Sequence, residues 1–262
     1  MPEDYSGYVD PDYLDASARV MLPSKLRTYE LMELQEGHRV LDLGCGPASD
    51  TIALAETVGE TGRVVGVDAD ADMVAEANER ARAAELSERV THEHADAASL
   101  PFEDDFFDAC RSERVFQHLL DPAAALAELI RVTRPGGRIV VLDTDYGAAS
   151  IATEFSEIER RLIDQYCAMM NGPFVARLLT RMFNSAGLDD VAVEPVPFVL
   201  DDIGAFSTMF LLDRVLREAV EAGRLSGDQV RRFRTDLEQS AEIGGFLASA
   251  HQLLVSGRKR RG

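Results

Sequence analysis

Val40-Leu41-Asp42-Leu43-Gly44-Cys45-Gly46-Pro47-Ala48 is the stretch whose reading decides the fold. A short apolar run enters a glycine turn, and Ser49 to Val58 then reads as a helix. Gly44 and Gly46 permit positive φ and let a ligand lie against bare backbone, while the following helix offers free N–H groups. Taken alone, the turn reads equally well as simple punctuation between strand and helix. A dinucleotide fingerprint would place a third glycine three residues beyond Gly46, where Ser49 stands.

Outward from this turn, β-branched runs alternate with helical stretches, the signature of a parallel sheet wrapped by helices. The first strand spans His38 to Leu43 and the second Arg63 to Val67, followed by a helix from about Asp70 to Leu86. Arg89 to Ala95 and Phe106 to Cys110 are the third and fourth strands. A helix follows with Asp121 as N-cap and Pro122 in its first turn, and Pro135-Gly136-Gly137 ends it. Arg138 to Leu142 is a continuous apolar fifth strand, as expected where both faces are covered. Beyond it the spacing predicts helices from about Ser150 to Met170 and Phe174 to Ala186, then a sixth strand from Val191 to Leu200. Two helical patterns between Ile203 and Ile243 are separated by Gly223 to Gly227, and Phe246 to Val255 reads as a seventh strand. The expected organisation is an N-terminal helical segment over 1–36 and a core over 37–147. Residues 148–262 then read as the remainder of the same domain, with helical insertions forming a cap.

The 262 residues, 46% hydrophobic and 28% charged, exclude a low-complexity or largely disordered chain. No apolar run approaches the roughly 20 residues of a membrane span, and the N-terminus is acidic, so the expectation is a cytoplasmic protein. Cys45, Cys110 and Cys167 are widely spaced and suggest neither a disulfide framework nor a cysteine metal site. A net charge of -19 repels a phosphate backbone, and the only local basic cluster is Arg258 to Arg261, so nucleic acid is not an expected partner.

Two acids extend the signal. Asp68 closes the second strand, where a carboxylate can accept hydrogen bonds from both hydroxyls of a ribose. Asp96 closes the third strand, where it could accept from an exocyclic amine while the Ala97 amide faces a ring nitrogen. Each acid singly reads as a solvated loop residue or a helix cap. Coordinated placement at the carboxyl ends of adjacent strands argues against that reading.

VLDLGCGPA, VVGVDAD, HADAASLPFEDDFFDA, ERVFQHL and RVTRPGGRIVVLD together resemble the class I S-adenosylmethionine-dependent methyltransferases, over Gly37 to Asp145 and again near the C-terminus. ERVFQHL followed by PGG is similar to the menaquinone/ubiquinone-type and natural-product branch. The resemblance implies an α/β fold: a seven-stranded, mostly parallel Rossmann-like sheet with helices on both faces and its last strand antiparallel. It also implies S-adenosyl-L-methionine as cofactor and transfer by direct displacement at the sulfonium carbon. Carried onto this chain, Gly44 and Gly46 would line the methionine and ribose part, Asp68 the ribose hydroxyls, Asp96 and Ala97 the adenine and Ser112 the region beneath the sulfonium, with Asp42, Ala69 and Met73 as further cofactor-binding residues. Ala48 departs from the glycine often found in that slot.

The acceptor implied is a small molecule such as a natural product, lipid or quinone-like metabolite, methylated at O or N. The tetrapeptide of base-modifying amine methyltransferases is replaced by Arg111-Ser112-Glu113-Arg114. His118 at the start of the helix after strand four, and Asp145 with Tyr146 beyond strand five, are the candidate acceptor-side groups. Each also has a structural reading, as a helix-start histidine and a loop pair. His92 and His94 lack a third ligand nearby, so no metal is expected. Tyr5, Tyr8, Tyr13 and Arg19 either cover the cofactor or pack on the sheet. A homodimer is a candidate assembly. Two other functions compete: an NAD(P)-dependent oxidoreductase, disfavoured by Ser49 and the lack of a Tyr-x-x-x-Lys pair, and a non-catalytic protein that binds the cofactor.

Overall fold

The computed structural model describes residues 11–261, with the backbone alone for 11–20. Tyr5 and Tyr8, and the side chains of Tyr13 and Arg19, lie outside the described residues. After helix α1 (Pro11–Leu31) the chain alternates strand and helix: β1 (Arg39–Leu43), α2 (Ser49–Val58), β2 (Arg63–Asp68), α3 (Ala71–Ala83), β3 (Val90–His94) and β4 (Phe107–Glu113). A short 3-10 turn (Phe116–His118), α4 (Pro122–Val132) and β5 (Thr133–Ile151) follow. Then come α5 (Ser156–Ala168), α6 (Val175–Ser185), β6 (Asp189–Leu200), α7 (Ile203–Met209), α8 (Leu212–Glu221), α9 (Gly227–Glu242) and β7 (Ala248–Arg258). The strands form one sheet in the order β3-β2-β1-β4-β5-β7-β6.

The inner pairs of this sheet are parallel, with Val40 opposite both Val64 and Ala109 and Cys110 opposite Ile139. β7 runs the other way. Gly136 N–H donates to the Lys259 carbonyl (2.8 Å) at one end, and Ala152 N–H donates to the Leu247 carbonyl (2.8 Å) at the other. The α/β class, the seven strands and the antiparallel last strand therefore agree with the expectation.

Local chemistry explains the helix starts. Asp70 caps α3 by accepting from Asp72 N–H (2.8 Å), and Asp121 caps α4 by accepting from Ala123 and Ala124 N–H (3.1 and 3.0 Å). Ser226 and Gln229 form a reciprocal capping box on α9.

Four expectations need correction. β4 continues three residues past Cys110, because Arg111 is paired within the sheet and does not end it. β5 runs to Ile151, so Asp143, Asp145 and Tyr146 lie within a strand and α5 begins only at Ser156. His118 sits in the 3-10 turn, not at the start of a helix, which Pro122 opens. Ile203 to Ile243 holds three helices, because Leu211 adopts a left-handed conformation (φ 49°) that separates α7 from α8.

The chain divides into two compact units. The first comprises Lys25–Thr144, Phe174–Pro195 and the chain from Leu253 onward; the second runs up to Ser24 and adds Asp145–Pro173 and Val196–Gln252. The first packs Leu41, Phe107, Leu129, Ile139 and Phe183 into its core. In the second, Leu162, Phe206, Leu216, Phe233 and Leu237 do the same. The three cysteines are free and buried. Among the described residues no helix is long and apolar enough to cross a membrane.

Leu129 on α4 is fully buried. Leu129→Ala is expected to destabilise the protein by about 2–5 kcal/mol, read as a lowered urea midpoint. An unchanged midpoint would show that α4 does not carry this core.

Candidate active site

Parallel pairing of β1 with β2 and β4 brings Leu43, Val67 and Ser112 to the same level at the carboxyl end of the sheet. There the chain turns at Gly44. The Val67 carbonyl accepts from both Gly44 and Cys45 N–H (2.7 and 3.0 Å), which fixes the turn to β2. Gly44 has φ 75°, and a Cβ on it would stand 2.1 Å from Val115 Cγ2, so no side chain fits. A Cβ on Gly46 would meet nothing within 4 Å, so bare backbone faces open space.

Asp68 ties this turn to β2 a second time. Its Oδ2 accepts from Gly46 N–H (2.9 Å) and its Oδ1 from Asp70 N–H (3.0 Å). Ala69 beside it is exposed and Met73, in the first turn of α3, is half-buried. At the end of β3, exposed Asp96 accepts from Ala98 N–H (2.9 Å), next to buried Ala97. Ser112 is fully buried on β4, and its Oγ has no hydrogen-bond partner among the described residues. The structure thus gathers Asp42, Gly44, Gly46, Asp68, Ala69, Met73, Asp96, Ala97 and Ser112 into the first unit. Open backbone at Gly46, a carboxylate at the end of β2 and an orphaned hydroxyl at Ser112 fit a nucleoside bearing a polar tail.

Sequence reasoning missed what lies behind the turn. Arg111, fully buried, stands opposite Asp42 in the register of β1 and β4. Its guanidinium reaches Asp42 (3.2 Å), Asp50 (3.3 Å) and Glu113 (2.5 Å), with the Tyr29 ring 5.3 Å away. Lys25 on α1 bonds Asp50 in the first turn of α2 (2.5 Å), and the Tyr29 hydroxyl donates to the same carboxylate. Burial pushes the Asp42 carboxyl up to about 7, against the pull of Arg111. Burial opposes ionisation of Asp50 as well, but Arg111 and Lys25 outweigh it and hold that carboxyl well below its usual range. The available signal was an arginine directly after the apolar pair Ala109-Cys110, which cannot be buried without carboxylate partners.

Asp143, also fully buried, accepts from Phe116 and Gln117 N–H (3.2 Å each) and so fastens the 3-10 turn that carries His118. Burial raises its carboxyl to about 7 although those two donors lower it. Burial and the neighbouring Arg114 push His118 down to about 4, leaving a neutral imidazole at pH 7. His92 lies 2.8 Å from the Thr51 hydroxyl and 3.1 Å from Asn78, and His94 is 3.0 Å from the Ala69 carbonyl. In the second unit Asp145 lies 3.5 Å from His251, and the Tyr146 ring packs on Tyr166 with centroids 5.1 Å apart.

Arg111→Met removes the one cation shared by Asp42, Asp50 and Glu113 and is expected to cost about 3–5 kcal/mol. Circular dichroism melts would register this as a large drop in Tm, and a melt like that of the wild type would remove the cluster from the structural account. Asp143 supplies a pH signature. Between about pH 4 and 7 the folded protein keeps a proton that the unfolded chain has released, so the stability from this group is full below pH 4 and is lost as pH rises through 7. The stability of Asp143→Asn relative to wild type should therefore improve from pH 5 to 8, by up to about 1.4 kcal/mol per pH unit within the window. Parallel stability curves would refute the raised value.

A methyltransferase-domain family model matches residues 34–187. The chain is 35% identical over 246 residues, 93% of its length, to an uncharacterized 37.1 kDa protein in transposon TN4556 of Streptomyces fradiae, covering 69% of it. It is 31% identical over 186 residues, 65% of its length, to a demethylmenaquinone methyltransferase of Bacillus cereus, covering 78% of that protein. Among solved structures, geranyl diphosphate C-methyltransferase from Streptomyces coelicolor, in complex with S-adenosyl-L-homocysteine, shares the fold. Its TM-score is 0.60 at 18% identity, over 99% of this chain and 90% of that one. With the glycine turn and its acids, these matches show that the chain belongs to the class I S-adenosylmethionine-dependent methyltransferases.

Proposed function

We propose that the protein methylates an oxygen or nitrogen atom of a small organic molecule in the cytoplasm. The observation that carries the reading is the Gly44–Gly46 turn held to Asp68 with open space beyond it. S-adenosylmethionine, when bound, supplies a methyl carbon made electrophilic by its sulfonium. Asp68 would take the ribose. Two backbone amides already occupy its carboxylate, leaving roughly two of about four acceptor sites for a diol. Asp96 and the Ala97 amide would hold the adenine beside Ala69 and Met73. The backbone of Gly44 and Gly46, with Asp42 and Ser112, would line the methionine side.

Displacement needs an aligned nucleophile about 3 Å from the carbon, and positioning supplies most of the acceleration. A protonated acceptor must also lose its proton. His118 is neutral at pH 7 and can accept one, and its turn is fixed from behind by Asp143. Asp145 with Tyr146 is the alternative pair, on the second unit. The name of the demethylmenaquinone methyltransferase among the similar proteins supports a small, largely apolar acceptor.

Calorimetry with S-adenosylhomocysteine tests the reading. Asp68→Ala removes two charge-assisted bonds, each contributing on the order of 1.5–3 kcal/mol, so affinity should fall at least 100-fold in a folded variant. Unchanged affinity would sink the assignment of the site.

A further inference from the structure

α6 is apolar beyond what its packing on the sheet requires. Val175, Leu179 and Phe183 are buried in the core of the first unit. Leu178 and Met182, one turn apart, widen that stripe, and Leu178 stays 51% exposed. What α4 offers on this side is Ala123 and Ala127, also one turn apart, whose short side chains leave space beside the longer ones. Between α4 and α6, both within the first unit, runs a groove of about 640 Å³. Its size is that of a small-molecule site, and so is its composition, since seven of its nine lining residues are apolar.

The two polar lining residues are Arg181 and Ser185. They stand four residues apart on α6, so guanidinium and hydroxyl share one face of the helix. Arg181 is exposed and has no ion-pair or hydrogen-bond partner among the described residues. No Asp or Glu lines the groove, although the chain carries 46 acids against 27 bases. α6 contains no acid at all. Glu128, the only acid of α4, is turned instead to Arg131 (2.7 Å) and to the Leu100 N–H (2.7 Å).

We propose that this groove binds a single-chain anionic amphiphile, a fatty-acid carboxylate of medium length, with its head on Arg181 and Ser185 and its alkyl chain along Ala127, Ile130, Leu178 and Met182. Charge and shape together select this occupant. An apolar cleft with one unpaired guanidinium matches a ligand that has one negative head, which the planar fork of arginine can bond at both oxygens. The α4 wall is entirely apolar and runs from Ala123 to Ile130, roughly 10 Å of helix, which suits an alkyl tail. An acidic helix of a partner protein would carry charge at several points along its length, and the lining answers only one. A second copy on a two-fold axis through the groove would set Arg181 against Arg181. The groove shares no residue with the cofactor site.

The test is calorimetric titration of the full chain with octanoate, 1-octanol and octylammonium, in wild type, Arg181→Gln and Ala127→Trp. Wild type should bind octanoate most tightly and octylammonium least, and added NaCl should weaken octanoate without affecting octanol. Arg181→Gln should lower the octanoate affinity about tenfold, through loss of the charge-assisted contact, and leave octanol unchanged. Ala127→Trp fills the groove and should abolish binding of both. No binding of octanoate by wild type, equal affinity for octanoate and octanol, or octanoate binding undiminished in either variant would overturn the proposal. Sedimentation without ligand addresses the other occupant. Leu178→Asp should sediment as wild type does, and a wild-type dimer that this substitution dissociates would give the groove to a second copy instead.

Discussion

One guanidinium holds the first unit's working end in place. Arg111 lies inside the sheet, where an unpaired charge costs several kcal/mol, and its tolerance there depends on Asp42 from the neighbouring strand, Asp50 from the helix after the glycine turn and Glu113 two residues along its own strand. Lys25 and Tyr29 of α1 close the cluster from outside. Four elements, α1, β1, α2 and β4, are thereby fixed to one another behind the glycine turn.

That arrangement determines how much freedom the turn has left. The Val67 carbonyl binds two of its amides and Asp68 binds a third, so the open face at Gly46 is formed before any ligand arrives. Binding to a preformed backbone costs less ordering entropy than binding to a loop that must first settle. Asp143 extends the same economy of motion to the next strand, because its two acceptor bonds hold the turn of His118 from beneath.

Much of this was legible in the sequence, and the failures have definite causes. Caps announce themselves, and Asp121 followed by Pro122 marked the start of α4 because side-chain acceptor and fixed φ act within a few residues. The acids at the ends of β2 and β3 were legible for a similar reason, since strand ends follow directly from apolar runs. The Arg111 cluster was not, because it draws on residues from 25 to 113 whose adjacency exists only after the sheet forms. Alternation after Leu142 is broken by Gly147 and small residues, so the sequence signal for the fifth strand stops there, and tertiary pairing overrode that weak local signal to extend β5 to Ile151. Leu211 in a left-handed conformation could not be anticipated, as branched residues rarely adopt it without external constraint.

The interleaving of the two units has an evolutionary consequence. Each is assembled from three stretches of chain, and three of the five exchanges fall inside β5, β6 and β7. A module with this connectivity cannot be gained by gene fusion or removed by trimming an end, because three of its boundaries interrupt strands that both units share. Diversification of either unit must therefore proceed by insertion and drift in place. Lineages of this fold should differ by lengthened connections between strands, with the order of strands in the sheet kept intact.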